Sequence, residues 1–155
     1  MKIPPRDMST YTQILYQIVY GTYRRQKTMC ADTRQDLYKF MTGLLQHKKC
    51  HVYRINGVED HVHILISLNP TVALSTLVKD LKLASTAHIK QNNLFPVFNG
   101  WAEGYGAFTY SLKEKDRLIE YIKNQEEHHK KQNSEDELRS LLKEHNVKFD
   151  ERYFS

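Results

Sequence analysis

Apolar and polar positions along this chain switch between a period of two and a helical period in a readable order. Residues 12–22 (TQILYQIVYGT) are rich in β-branched and aromatic side chains and predict a first strand, which runs into the basic segment Tyr23-Arg24-Arg25-Gln26-Lys27. Asp32 with Gln35 three residues on marks a helix start. Leu37, Phe40, Met41, Leu44 and Leu45 then keep helical spacing to about Lys49, as a core-facing stripe. Residues 51–58 (HVYRINGV) predict a second strand. It turns at Asn56-Gly57 or Glu59-Asp60 into a third, HVHILIS, and so short a connection makes the two an antiparallel pair.

Pro70 stops the third strand. Leu74, Leu77, Val78, Leu81 and Ala84 mark a second amphipathic helix, with Lys79, Lys82, Thr86 and Lys90 on its other side. Residues 92–103 read as a loop in which Trp101 is a packing anchor. Residues 105–110 (YGAFTY) form a fourth strand, with Gly104 and Gly106 giving backbone freedom at its entrance. Ser111 followed by Glu114 is a capping box opening a helix from Leu112 to about Lys131. Ser134 with Glu137 reads as a second box, opening a short helix through Leu138, Leu141 and Leu142; the aromatics of residues 149–154 are expected to dock.

The predicted order is β-α-β-β-α-β followed by helices: an α+β, ferredoxin-like, four-stranded antiparallel sheet with helices on one face. A C-terminal tyrosine-bearing helix and a short terminal helix are added to it. The opposite sheet face is expected to be open for a ligand. There is no internal repeat and no low-complexity linker.

Composition narrows the partners. A chain of 155 residues is long enough to bury one proper core. The net charge of +5 suits a polyanion such as nucleic acid. Cys30 and Cys50 sit in no CxxC and read as reduced thiols, which points to the cytoplasm. No apolar stretch reaches membrane-spanning length, and Met1 to Asp7 has no apolar core of a secretory signal, while Met8 offers an alternative start.

The candidate chemistry lies in two places. Side chains alternate along a strand, so His61 and His63 point to one face while Val62, Ile64, Ile66 and Leu68 point to the other. Two imidazoles a strand pleat apart can share a divalent metal ion, although an ordinary strand with two polar-face histidines has the same pattern. Farther on, Tyr121 and Gln125 are four apart and share one helical face. A phenol oxygen can attack phosphorus, and an amide oxygen one turn away can complete a metal shell begun by two imidazoles. His128 and His129 read as solvated helix residues, with His128 a substitute for Gln125. Asp60 reads as a turn residue that can also orient a histidine.

His61-Val62-His63, joined to Tyr121-x-x-x-Gln125 on a C-terminal helix, resembles the single-tyrosine HUH transposases of small bacterial insertion sequences and their relatives that recognise repetitive extragenic palindromes. The resemblance spans roughly Tyr11 to Lys131, including Gly104-Tyr105-Gly106-Ala107-Phe108. It implies a catalytic domain over residues 8–131 and a helical tail over 132–155. It also implies Mg²⁺ or Mn²⁺ held by His61, His63 and Gln125, and a 5′-phosphotyrosine formed by Tyr121 on single-stranded DNA. The implied partners are DNA hairpins at element ends and a second copy of the chain, with active sites shared between subunits. The implied place is the bacterial cytoplasm, on the nucleoid and not in a membrane. Arg24, Arg25, Lys79 and Lys82 are candidate phosphate contacts. Two other functions fit parts of the pattern: a non-catalytic hairpin-binding protein, and a metal-dependent phosphoesterase acting on a small ligand, which leaves Tyr121 without a role.

Overall fold

The protein is described by a computed structural model over residues 10–150. The expectations for Met1 to Met8, for the outer domain limits at 8 and 155 and for Tyr153 and Phe154 fall outside those residues, while Phe149 lies in a cleft wall. Strands β1 (Leu15–Gly21), β2 (His51–Val58), β3 (His61–Ser67) and β4 (Gly106–Tyr110) alternate with helices α1 (Ala31–His47) and α2 (Leu74–Gln91). The sheet order is β2-β3-β1-β4, with every pairing antiparallel. This is the expected ferredoxin-like arrangement. The β2–β3 turn is at Glu59-Asp60, because Val58 pairs with His61 in register.

The core follows the strand alternation. Val62, Ile64 and Ile66 of β3 pack with Ile18, Tyr20, Leu37, Met41, Leu77 and Leu81 beneath α1 and α2. Burying each such side chain stabilises the fold by about 1.5–3 kcal/mol. Trp101 packs edge-on against Tyr20 and Phe98, and its indole N–H donates to Ser85 Oγ at 3.0 Å. It is the expected anchor.

The second sheet face is not open, contrary to expectation. Leu15 and Leu65 on that face pack against Leu118 and Ile122 of helix α3 (Lys115–Lys123). Helices α4 (Gln125–His129) and α5 (Ser134–Glu144) continue the cover. Leu65, on the histidine face, needs an apolar partner as much as the even positions do, and with the histidines covered beside it β3 is buried from His61 through Ile66.

Four helix boundaries differ from the sequence reading. The capping box at Ser111 and Glu114 forms, but it opens a 3-10 turn before α3. The expected single helix then breaks at Asn124 (φ −98°, ψ 25°). There the Asn56 side chain on β2 donates to the carbonyls of Ile122 (3.0 Å) and Lys123 (3.1 Å), which a continuous helix would use itself. Ser134 and Glu137 form no capping box: Asn133 caps α5 by accepting from the Asp136 N–H at 2.8 Å. At the first helix, Cys30 takes the cap position without a side-chain bond, and Asp32 lies inside the first turn.

Candidate metal and nucleophile site

His61 and His63 leave β3 on the face covered by α3, α4 and α5, and both are buried. Each ring has one nitrogen tied down. His63 Nδ1 is 2.7 Å from Gln17 Oε1, and the Gln17 amide N–H donates to the Tyr110 hydroxyl at 3.0 Å. His61 Nδ1 donates to Asp60 Oδ1 at 2.8 Å, an oxygen that also accepts from Ser134 Oγ at 2.7 Å. Asp60 therefore orients a histidine as well as sitting in the turn. Both Nε2 atoms are left facing the same point.

The tyrosine helix brings its residues to that point. Gln125 is fully buried, with Oε1 3.2 Å from His61 Nε2. The half-buried Tyr121 ring lies 6.0 Å from the His63 ring, centre to centre, and stacks on His128 at 4.6 Å. The Asn56 bonds that end α3 set this geometry, since they fix the turn between Tyr121 and Gln125. His129 is not solvated as expected: its Nε2 turns inward toward Glu137. The His128 ring lies on Tyr121 with its Nε2 buried, so it does not take the place of Gln125.

Sequence reasoning missed Glu137. Its buried Oε1 lies 2.9 Å from His63 Nε2, 3.1 Å from His61 Nε2 and 3.1 Å from His129 Nε2. Its Oε2 accepts from the Tyr121 hydroxyl and, at 3.0 Å, from the Gln125 amide. The missed signal is the α5 stripe Ser134, Glu137, Leu138, Leu141, in which two polar residues interrupt an inward apolar face.

The electrostatics follow from these contacts. Burial by itself would raise the Glu137 carboxyl, but hydrogen bonds from His129, His61 and His63 outweigh it and hold the group well below the usual range. Burial opposes charge on His61 too, yet its bonds to Asp60 and Glu137 push it up to about 9. His63 goes the other way: burial lowers it, because its second nitrogen meets a neutral amide rather than a second carboxylate. Burial, then the Glu137 charge, raises the Tyr121 phenol well above its ordinary value. A nucleophilic role for Tyr121 therefore needs a cation close by.

The donor set fits a divalent ion. Neutral imidazole ligands normally donate their other N–H to a carboxylate or carbonyl of the protein, as both histidines do here. The atoms of His61, His129 and Glu137 that can bind an ion lie within 4.8 Å of one another. His61, His63 and Gln125, the three ligands expected from sequence, supply two imidazole nitrogens and an amide oxygen beside them.

A cleft of about 550 Å³ reaches the site, with Arg24, Arg25, Gly104, Tyr105, His61 and Glu137 in its walls. Arg24 and Arg25 hold left-handed backbone conformations (φ 51° and 53°), which fold the basic turn toward this opening. Arg25 Nε is 4.0 Å from Glu135. Lys82 is used differently: its Nζ donates to the carbonyls of Ala102 (2.9 Å) and Gly104 (2.6 Å), clasping the loop that forms one cleft wall. Lys79 is exposed on α2, in the layer on the other side of the sheet. Among the described residues no helix is long and apolar enough to cross a membrane.

A family model described as IS200-like transposase matches residues 10–125. The ISDra2 transposase TnpA of Deinococcus radiodurans is 24% identical over 118 residues, spanning 73% of this chain and 84% of the relative. Two solved structures share the fold. One, from Deinococcus radiodurans R1 and described as a transposase, has a TM-score of 0.57 at 22% identity, covering 79% of this chain and 98% of its own. The other, a REP-associated tyrosine transposase bound to a REP hairpin, has a TM-score of 0.59 at 14% identity, covering 83% and 74%.

Proposed function

Because the chain belongs to the IS200-like transposase family, we propose that it cleaves and rejoins single-stranded DNA at hairpin-marked ends through a covalent bond to Tyr121. The observation that carries this reading is the meeting of Tyr121 and Gln125 with His61 and His63 at one buried point, from segments far apart in sequence. A phosphoesterase acting on a small ligand has no use for that tyrosine.

In the proposed reaction the Tyr121 oxygen–phosphorus bond forms as the phosphorus–O3′ bond breaks. The 5′-phosphate stays on the tyrosine, and the departing O3′ takes up a proton from water to leave as a free 3′-OH, balancing the one the phenol gives up. The phenolic proton has the Glu137 carboxylate beside it, which already accepts the hydroxyl. The covalent link conserves the phosphodiester energy, so rejoining needs no ATP. A divalent ion such as Mg²⁺ or Mn²⁺, held by His61, His63 and Gln125, would neutralise and orient the scissile phosphate. Asp60 and Gln17 hold the two imidazoles in the tautomer that ligation needs.

Substrate entry is assigned to the cleft, where Arg24 and Arg25 offer phosphate contacts at its mouth. The hairpin carried by the REP-associated relative supports a hairpin substrate here. On this reading the catalytic domain runs over 8–131 with Glu137 added from the helical tail, and the protein works in the bacterial cytoplasm, on the nucleoid, as a homodimer. Tyr121 stands beside His63 of its own chain, which supports action in cis rather than the sharing of active sites between subunits that the resemblance implies.

The test is covalent capture. Labelled hairpin oligonucleotides with single-stranded flanks are incubated with Mn²⁺ and resolved on a denaturing gel. A slow protein–DNA band is expected from the unaltered chain and is lost in Tyr121→Phe, in His61→Ala and in chelator. Salt-sensitive DNA binding with no such band from any hairpin would leave a non-catalytic binding protein instead.

A further inference from the structure

Resting on that reading and extending it, we propose that Glu137 and His129 are ligands of the same ion, so that the centre is a carboxylate-bearing cage of His61, His63, His129 and Glu137 beside the Gln125 amide. The donor atoms of His61, His129 and Glu137 lie within 4.8 Å of one another, and His63, which reaches Glu137 but not that whole set, would be drawn in on binding. Metal–ligand bonds of about 2.1 Å put neighbouring donor atoms about 3.0–3.4 Å apart. Glu137 Oε1 lies 2.9 to 3.1 Å from three imidazole nitrogens, and Gln125 Oε1 lies 3.2 Å from one of them.

The hydrogen accounting points the same way. His63 gives its Nδ1 hydrogen to Gln17, whose own amide hydrogen goes to Tyr110, so the neutral ring turns a lone pair toward Glu137. His61, held at Nδ1 by Asp60, does likewise when neutral. Gln125 spends its N–H on Glu137 Oε2, which leaves its oxygen facing His61. Two imidazole lone pairs, an amide oxygen and a carboxylate oxygen therefore converge, and one divalent cation satisfies all four at once.

Glu137 is placed for this by its own helix. Ser134, one turn earlier on the same face, donates to Asp60, the residue that orients His61. Asn133 fixes the start of α5. The carboxylate is only 2% exposed, and without an ion its charge is balanced by the imidazoles around it, which a divalent cation would replace as the partner. Imidazoles with one carboxylate favour Mn²⁺, Co²⁺ or Zn²⁺ over Mg²⁺, which prefers oxygen ligands and keeps its waters. The site is therefore assigned to a first-row transition ion.

The experiment is Co²⁺ titration of the full chain, followed by calorimetry and by the visible absorption of the bound ion. The unaltered protein is expected to bind Co²⁺ with an absorption band that excess Mg²⁺ does not remove. E137Q and H129A should each weaken binding about tenfold or more and shift the band. E144Q, an exposed acid of the same helix, should leave both unchanged. Circular dichroism shows whether each variant is folded. Should E137Q unfold, X-ray absorption of Co²⁺ in the unaltered chain still counts the imidazoles, three expected rather than two. Unchanged affinity in folded E137Q and H129A overturns the proposal while leaving the His61–His63–Gln125 reading intact. No Co²⁺ binding by the unaltered chain overturns both. Glu137-dependent binding in a protein that never gives a covalent DNA band removes the transposase mechanism but keeps the site.

Discussion

His63 Nε2 and Glu137 Oε1 stand 2.9 Å apart although 74 positions separate them along the chain. One comes from an inner strand of the sheet and the other from the last described helix. Their contact joins the segment matched by the family model, which ends at residue 125, to a helix beyond it. The behaviour of the site depends on that junction.

The metal-free chain should be most stable near pH 6.5. His61 rises from its ordinary 6.5 to about 9 on folding, so its contribution is complete below pH 6.5 and is lost as the pH climbs through 9. His63 is lowered, so its contribution is complete above 6.5 and falls away on the acid side. Glu137 is held below its ordinary 4.5, and its share is complete above that pH and lost as the pH falls further. Thermal midpoints in chelator should fall on both sides of a maximum. The alkaline limb is expected to amount to roughly 2–3 kcal/mol. A limb unchanged in His61→Asn would assign it elsewhere.

Asn56 should matter more to the chemistry than its place on an outer strand suggests. Asn56→Ala removes two bonds to the end of α3, at 3.0 and 3.1 Å, and should cost about 1–2 kcal/mol in denaturant unfolding. Covalent capture should fall by more than the stability loss explains, because Tyr121 and Gln125 lose their fixed relation. Capture falling only in step with the folded fraction would make Asn56 purely structural.

Glycine substitutions should separate close approach from helix propensity. A Cβ on Gly57 would lie 2.2 Å from the His61 carbonyl oxygen, so Gly57→Ala must shift the hairpin that carries the histidines. A loss of about 2 kcal/mol or more is expected from urea unfolding. Gly43, inside α1, has nothing within 4 Å of its added Cβ, and Gly43→Ala should stabilise by about 0.5–1 kcal/mol. Equal effects at the two positions would contradict the close approach at Gly57.

The cleft separates the four basic candidates. Arg24→Ala and Arg25→Ala should each weaken hairpin binding and reduce the slope of log K against log salt by about 1. Lys79→Ala, on the far side of the sheet, should leave both unaltered. Lys82→Ala should act through the loop it clasps, read as faster amide exchange around Gly104 to Gly106. A salt slope that falls for Lys79→Ala would move the DNA path to the α2 face.

By itself the sequence determined the strand order, the antiparallel pairing of β2 with β3 and the shared face of His61 and His63. Those features are local: side-chain alternation, helical spacing and turn length set them within a few residues. The tertiary structure decided what meets across the second sheet face. Asn56 breaks the tyrosine helix from a strand, a hydrogen bond with no local signature. Ser134 and Glu137 have the spacing of a capping box, and Asn133 takes the capping role only because the other two reach buried partners on β3 and the Asp60 turn. A polar pair on an inward helical face reads identically whether it caps its own helix or completes a distant site. Only the packing of α5 against β3 separates the two, because burial shields Glu137 from water and, among the described residues, gives it the imidazoles as charge partners.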